Sequence, residues 1–228
     1  MRYREAGLVA PTYALGLNFM KARAKVLGYD IRVKGQENVP TEGPVLYGPS
    51  HRNKEDPWLL GLGADRPVFC MGKEELWTAQ YAYLGYLISL VGGFPVNREN
   101  PGHSTIRSAK KHLRKGRAVG IFAESSRYED EVKKIVRGSK IGYLHRSIGR
   151  LSVLERAPIV PMGIGVASRI SGWPNSEVAR IVIAPALYPD ADLPKREAEE
   201  QIMADFKLSL QTAFTEASET ATVEASFS

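Results

Sequence analysis

Four short apolar runs constrain this chain more than any other feature: Pro44 to Tyr47, Ala118 to Phe122, Ala157 to Val166 and Ala179 to Ala184. The last two are rich in β-branched residues, and all four are predicted to be strands. Ile31 to Lys34 adds another, alternating apolar and basic residues before the turn signals Gly35, Pro40 and Gly43. Helical spacing intervenes. Ser104 to Lys115 sets Ile106, Ala109 and Leu113 on one face, carries basic residues at its end and stops at Gly116, and residues from about Pro194 to Phe214 are again amphipathic. Strands alternating with helices predict an α/β fold.

Nothing in the composition divides the 228 residues into unlike halves, so one compact domain is expected, with 43% hydrophobic and 25% charged residues to build it. Its ends differ from the middle. Leu8, Tyr13, Leu17 and Met20 stand near helical spacing ahead of Lys21, Arg23 and Lys25, which predicts an amphipathic, membrane-contacting segment over residues 1–30. The main domain is expected over 31–216, and the small polar residues of 217–228 are expected to form a mobile tail.

The greasiest stretch, Tyr81 to Val96, has 16 residues and three glycines, short of the roughly 18 to 20 that span a bilayer. No secretory signal is apparent at the start. Cys70 is the lone cysteine, so no internal disulfide or paired-cysteine metal site is expected, and a reducing cytoplasm fits. A formal net charge of +6 suits anionic partners without choosing among them.

The residues that promise chemistry are His51 and Asp56. On a helix, positions five apart point about 140° away from each other, so a regular helix would separate them. Pro57, however, fits the first position of a helix over Trp58 to Leu62, with Asp56 as its N-cap and His51 on the incoming loop. A carboxylate there can accept from the imidazole, fixing its tautomer and stabilising the imidazolium, while the ring deprotonates a hydroxyl. A histidine near an aspartate is by itself most often structural, so the pair needs corroboration.

Corroboration comes from an ordered set of segments. Ser50-His51-Arg52-Asn53-Lys54-Glu55-Asp56 is followed by Gly93-Phe94-Pro95-Val96-Asn97-Arg98, then Phe122-Ala123-Glu124-Ser125-Ser126-Arg127, then Ala157-Pro158-Ile159-Val160-Pro161. Their order and spacing resemble the glycerolipid acyltransferase family, notably the 1-acylglycerol-3-phosphate acyltransferases. The likeness runs from about Lys34 to Pro161 and includes Lys73-Glu74-Glu75-Leu76.

The resemblance implies a mixed, largely parallel central sheet flanked by helices, with His51 as general base and Asp56 as its partner. It implies that Arg98, Glu124, Ser125, Ser126 and Arg127 bind the acceptor's glycerol phosphate. Arginine's planar fork of donors suits a phosphomonoester. The sequence departs from the family pattern at Asn97, Ala123 and Ser125, which stand where aspartate, proline and glycine are common. The stretch from Arg127 to Pro158 also looks longer than usual and is partly basic.

The implied reaction carries a fatty acyl group from an acyl-CoA or acyl carrier protein thioester to 1-acylglycerol 3-phosphate, giving phosphatidic acid, with no cofactor and no metal. Direct transfer is expected, because Gly48-Pro49-Ser50-His51-Arg52 lacks the closing glycine of a nucleophile elbow. The enzyme is expected to sit peripherally on the cytoplasmic face of the cell membrane.

Glycerol 3-phosphate or a glycosylated phospholipid is the alternative acceptor. A basic nucleic-acid-binding module is the alternative class, using Arg107, Lys110, Lys111, Arg114 and Lys115. No stacking-aromatic motif, zinc finger or helix-turn-helix accompanies that cluster, so no nucleic-acid partner is expected. Gly163-Ile164-Gly165 lacks the third glycine of a dinucleotide fingerprint.

Overall fold

Strand β2 (Val45–Pro49) is buried along its whole length, as a continuous apolar run must be when it has no polar face to give to water. The structure, a computed structural model, describes residues 9–53, 55–64, 66–78, 82–90, 92–96, 103–124, 141–169 and 177–226. Among the described residues, β2 is the middle strand of a seven-stranded sheet with β1 (Asp30–Lys34), β3 (Val68–Lys73), β4 (Phe94–Val96), β5 (Ala118–Gly120), β6 (Ile159–Ser168) and β7 (Glu177–Ile183). The spatial order is β1-β7-β6-β2-β5-β3-β4. Every neighbouring pair is parallel except β6 with β7, so the sheet is mixed and largely parallel, as expected.

Six helices are described: α1 (Val9–Val26), α2 (Asp56–Gly63), α3 (Ala82–Leu90), α4 (His103–Leu113), α5 (Ser147–Glu155) and α6 (Lys195–Ser226). α4, α5 and α6 form one core with the sheet, in which Leu113, Ile148, Leu151, Phe206 and Leu210 pack with Leu46, Val119 and Ile159. α2 anchors the other, placing Leu59 and Leu60 with Tyr47, Met162 and Ile181. α1 lies outside, against α2 and α3, and buries Tyr13, Leu17 and Ala24.

The C-terminal tail is a correction. Residues 217–226 are not a mobile tail but the last turns of α6, with Ala217, Ala221 and Ala225 buried. Their four-residue spacing puts them on one helix face, and a face of methyl groups can lie very close to a strand. The strand side accommodates this with glycine: a Cβ on Gly163 would sit 2.2 Å from the Ala213 backbone, and one on Gly165 would sit 2.4 Å from that of Ala217. Arg180, buried on β7, pairs with Asp30 at 2.7 Å and with Glu224 on those last turns.

The greasy stretch also has structure of its own. It holds α3 and β4, parted by Gly92, whose φ of 87° lies in the left-handed region that glycine enters without strain. Among the described residues no helix is long and apolar enough to cross a membrane.

Candidate active site

Parallel strands deliver the segments that follow them to one edge of the sheet. Tyr47 of β2 stands opposite Gly120 of β5, and the Ile121 N–H donates to the Tyr47 carbonyl at 2.9 Å. The loop after β2 and the segment after β5 therefore rise side by side, bringing together residues far apart in sequence. Ser50 secures the loop at its base. Its N–H donates to the Met162 carbonyl at 2.9 Å, and its buried hydroxyl accepts from the Ile164 N–H at 2.9 Å. That oxygen is structural, in keeping with the absence of a nucleophile elbow.

Asp56 does bring its carboxylate to His51, though not as an N-cap. Glu55 occupies the cap position without a side-chain bond, and Asp56 is the first residue of α2. Its fully buried side chain turns back on the loop, where Oδ2 lies 3.2 Å from His51 Nδ1. The same oxygen accepts from the Arg52 N–H at 2.5 Å and the Asn53 N–H at 2.7 Å. Three donors on one oxygen fix both the loop and the ring, and with Nδ1–H donating, Nε2 is the nitrogen left for a substrate proton. Phe122 restrains the ring from a second side, its centroid 4.4 Å away and its plane tilted by 42°. The His51 side chain remains 12% exposed, so it stays within reach of a substrate.

Glu124 braces the loop from the β5 side. Its Oε1 accepts from the His51 N–H at 3.1 Å, and the Gly142 N–H also donates to the carboxylate. Arg52 Nη2 approaches Oε2 at 3.3 Å, a close charge contact rather than an aligned hydrogen bond. Burial pushes the Glu124 carboxyl above its usual range, while Arg52 and the two backbone donors pull the other way. The Arg52 guanidinium in turn lies 4.8 Å from the ring centre of Phe214 on α6.

Of the residues expected to bind the acceptor, Glu124 is therefore placed at the site, with its oxygens turned toward the His51 loop. Arg98, Ser125, Ser126 and Arg127 lie outside the described residues. The roles of Phe122 and Arg52 had no sequence signal, because the contacts that give rise to them join segments about seventy positions apart. Burial pushes the Cys70 thiol up to about 12, which disfavours the thiolate.

A histidine steadied by a buried carboxylate, with one ring nitrogen free, is arranged to take a proton from a hydroxyl. The family model described as Acyltransferase matches residues 30–165, which include both arms of this site. The chain belongs to this acyltransferase family.

Relatives of known name agree. The acyltransferase is 28% identical over 188 residues to the 1-acyl-sn-glycerol-3-phosphate acyltransferase of Bacillus subtilis (strain 168), covering 81% of this chain and 88% of that protein. It is 34% identical over 94 residues to the protein of the same name from Streptococcus pneumoniae, covering 40% of this chain and 34% of that one. The crystal structure of the 1-acyl-sn-glycerophosphate (LPA) acyltransferase PlsC from Thermotoga maritima shares the fold. Its TM-score is 0.65 at 17% identity, over 88% of this chain and 78% of that one.

Proposed function

We propose that this acyltransferase moves a fatty acyl group from an acyl thioester to the free hydroxyl of 1-acylglycerol 3-phosphate, giving phosphatidic acid. The observation that carries the proposal is the buried Asp56 carboxylate holding His51 Nδ1 at 3.2 Å. The names of the relatives supply the acceptor.

His51 Nε2 accepts the hydroxyl proton as the oxygen attacks the thioester carbonyl, and Asp56 stabilises the imidazolium that forms. When the C–S bond breaks, the imidazolium returns the proton to the leaving thiolate. The thioester is that of acyl-CoA or acyl carrier protein, and transfer is direct, with no covalent enzyme intermediate. In this reading Arg98 and Arg127 supply the charge that binds the acceptor phosphate, and Ser125 and Ser126 contribute hydroxyl donors.

The acceptor lives in a bilayer, and the exterior of α1 suits one. Leu15, Phe19 and Val26 are 72%, 65% and 79% exposed and fall within about 40° of each other at 100° per residue. Arg23 and Lys25 flank that stripe, where their cationic ends can reach anionic headgroups at about 1 kcal/mol each. Exposed Tyr83 and Tyr86 on α3, against which α1 packs, extend the surface. The proposal puts the enzyme peripherally on the membrane, at its cytoplasmic face.

The test offers palmitoyl-CoA with 1-acylglycerol 3-phosphate, glycerol 3-phosphate or a glycosylated phospholipid, following thiol release beside lipid product. Phosphatidic acid formed in step with thiol is expected. Product only on another acceptor would replace the acceptor, and thiol release without lipid product would refute transfer.

A further inference from the structure

The loop that carries His51 is held from several sides, and one of its anchors crosses to α6. Arg52 gives its backbone N–H to Asp56, as Asn53 does, but its side chain turns away from that carboxylate. Only 13% exposed, it lies between Glu124 and the long C-terminal helix. Nη2 is 3.3 Å from Glu124 Oε2, and the guanidinium is 4.8 Å from the Phe214 ring centre, within the range at which a cation is drawn to an aromatic face.

Phe214 is itself fixed. Its side chain is buried, and its backbone nitrogen passes so close to β6 that a Cβ on Gly163 would lie 2.4 Å from it. Gly163 stands between Met162 and Ile164, the two residues whose backbones hold Ser50. The contacts close a ring: from β6 to Ser50, along the loop to Arg52, across to Phe214 and back to β6. In close-packed surroundings a shift in any one link displaces the next, and His51 lies on the path between Ser50 and Arg52.

Charge carries the other half of the link. Glu124 is buried, and a buried carboxylate is stabilised as an ionised acceptor by a cation beside it and becomes costly when that cation is removed. Its second oxygen accepts from the His51 N–H at 3.1 Å. Loss of the guanidinium therefore weakens the hold on the histidine's own backbone.

We infer that Arg52 is a positioning residue for acyl transfer, tying the His51 loop to α6 through Glu124 and the ring of Phe214. This rests on His51 being the base of the proposed reaction. The planar guanidinium is what suits both partners, since it can face a ring while its fork of donors meets a carboxylate.

Deuterium exchange of the full-length protein tests the tie without turnover. Residues 50–53 are expected to exchange about tenfold faster in Arg52→Met and in Phe214→Leu, while β5 exchanges as in the wild type. Leu208→Ala, an exposed change on α6, is expected to alter neither region. Unchanged exchange over 50–53 overturns the proposal. So does equal acceleration of β5, because a merely structural role loosens both regions together.

Steady-state kinetics with palmitoyl-CoA and 1-acylglycerol 3-phosphate test the consequence. Arg52→Met is expected to lower kcat about tenfold with acceptor KM within about twofold of the wild type. Arg52→Lys, which restores the charge facing Glu124 but not the planar face, is expected to recover about threefold of that loss. Adding Phe214→Leu to Arg52→Met is expected to cost nothing further, since the tie is already cut. Additive losses, or a raised acceptor KM at unchanged kcat, overturn the proposal. A wild type that transfers no acyl group refutes the proposed function instead, and the exchange result still decides whether Arg52 ties the loop to α6.

Discussion

His112 gives the fold a specific weakness in acid. Its imidazole is held at about 4 against an ordinary value of 6.5, because burial and three nearby cations oppose its charged form. Above pH 6.5 both folded and unfolded chains leave the ring neutral, and its contribution to stability is fully present. As pH falls the unfolded chain takes up the proton and the folded chain does not, so stability drains away between 6.5 and about 4. At pH 5 the unfolded ring is about 1.5 units below its midpoint, worth roughly 2 kcal/mol at 1.36 kcal/mol per unit. Solvent around the partly exposed ring screens its neighbours, which brings the figure to about 1 kcal/mol. The assay is urea unfolding at pH 8 and pH 5 for wild type and His112→Phe, a substitution that keeps a ring between Phe69 and Phe94 but cannot titrate. The wild type is expected to lose about 1 kcal/mol more than the variant between the two pH values. Equal losses would refute the reasoning, since other titrating groups cancel in the comparison.

Glu124→Gln removes the charge facing Arg52 and loosens the loop that carries His51, so kcat is expected to fall by about 10- to 100-fold with little change in acceptor KM. A rise in KM alone would instead make Glu124 a substrate contact. Gly163→Ala forces a methyl group against the backbone of α6 and is expected to cost about 2 kcal/mol or more in chemical denaturation. Phe19→Asp is expected to abolish sedimentation with anionic vesicles while leaving the melting temperature within about 2 °C, because the side chain is exposed.

The strands were legible because central parallel strands are apolar on both faces: 44–47, 118–122, 157–166 and 179–184 all fall in or across β2, β5, β6 and β7. β3 and β4 leave a weaker signal, because β4 is only three residues long and lies inside a greasy stretch whose composition does not separate helix from strand. The end of α6 is hard to read because alanine, serine and threonine look like tail composition until Ala217, Ala221 and Ala225 are seen to share a helix face. The pairing of His51 with Asp56 followed from a loop entering a helix, but the capping role did not, because Asp56 spends its Oδ2 on donors that precede it. Glu124 reaches His51 across 73 positions, a contact that depends on β2 and β5 being neighbours and leaves no local trace.

The most direct measurement is the single-turnover rate of acyl transfer from palmitoyl-CoA to 1-acylglycerol 3-phosphate for wild type, His51→Ala and Asp56→Asn, with folding checked by circular dichroism. A positioned general base contributes about 10² to 10⁴ in rate, so His51→Ala is expected to lose at least that much while remaining folded. Asp56→Asn, which keeps the shape but not the charge beside Nδ1, is expected to lose a large part of the same factor. Undiminished transfer by folded His51→Ala would contradict the assignment of His51 as the base.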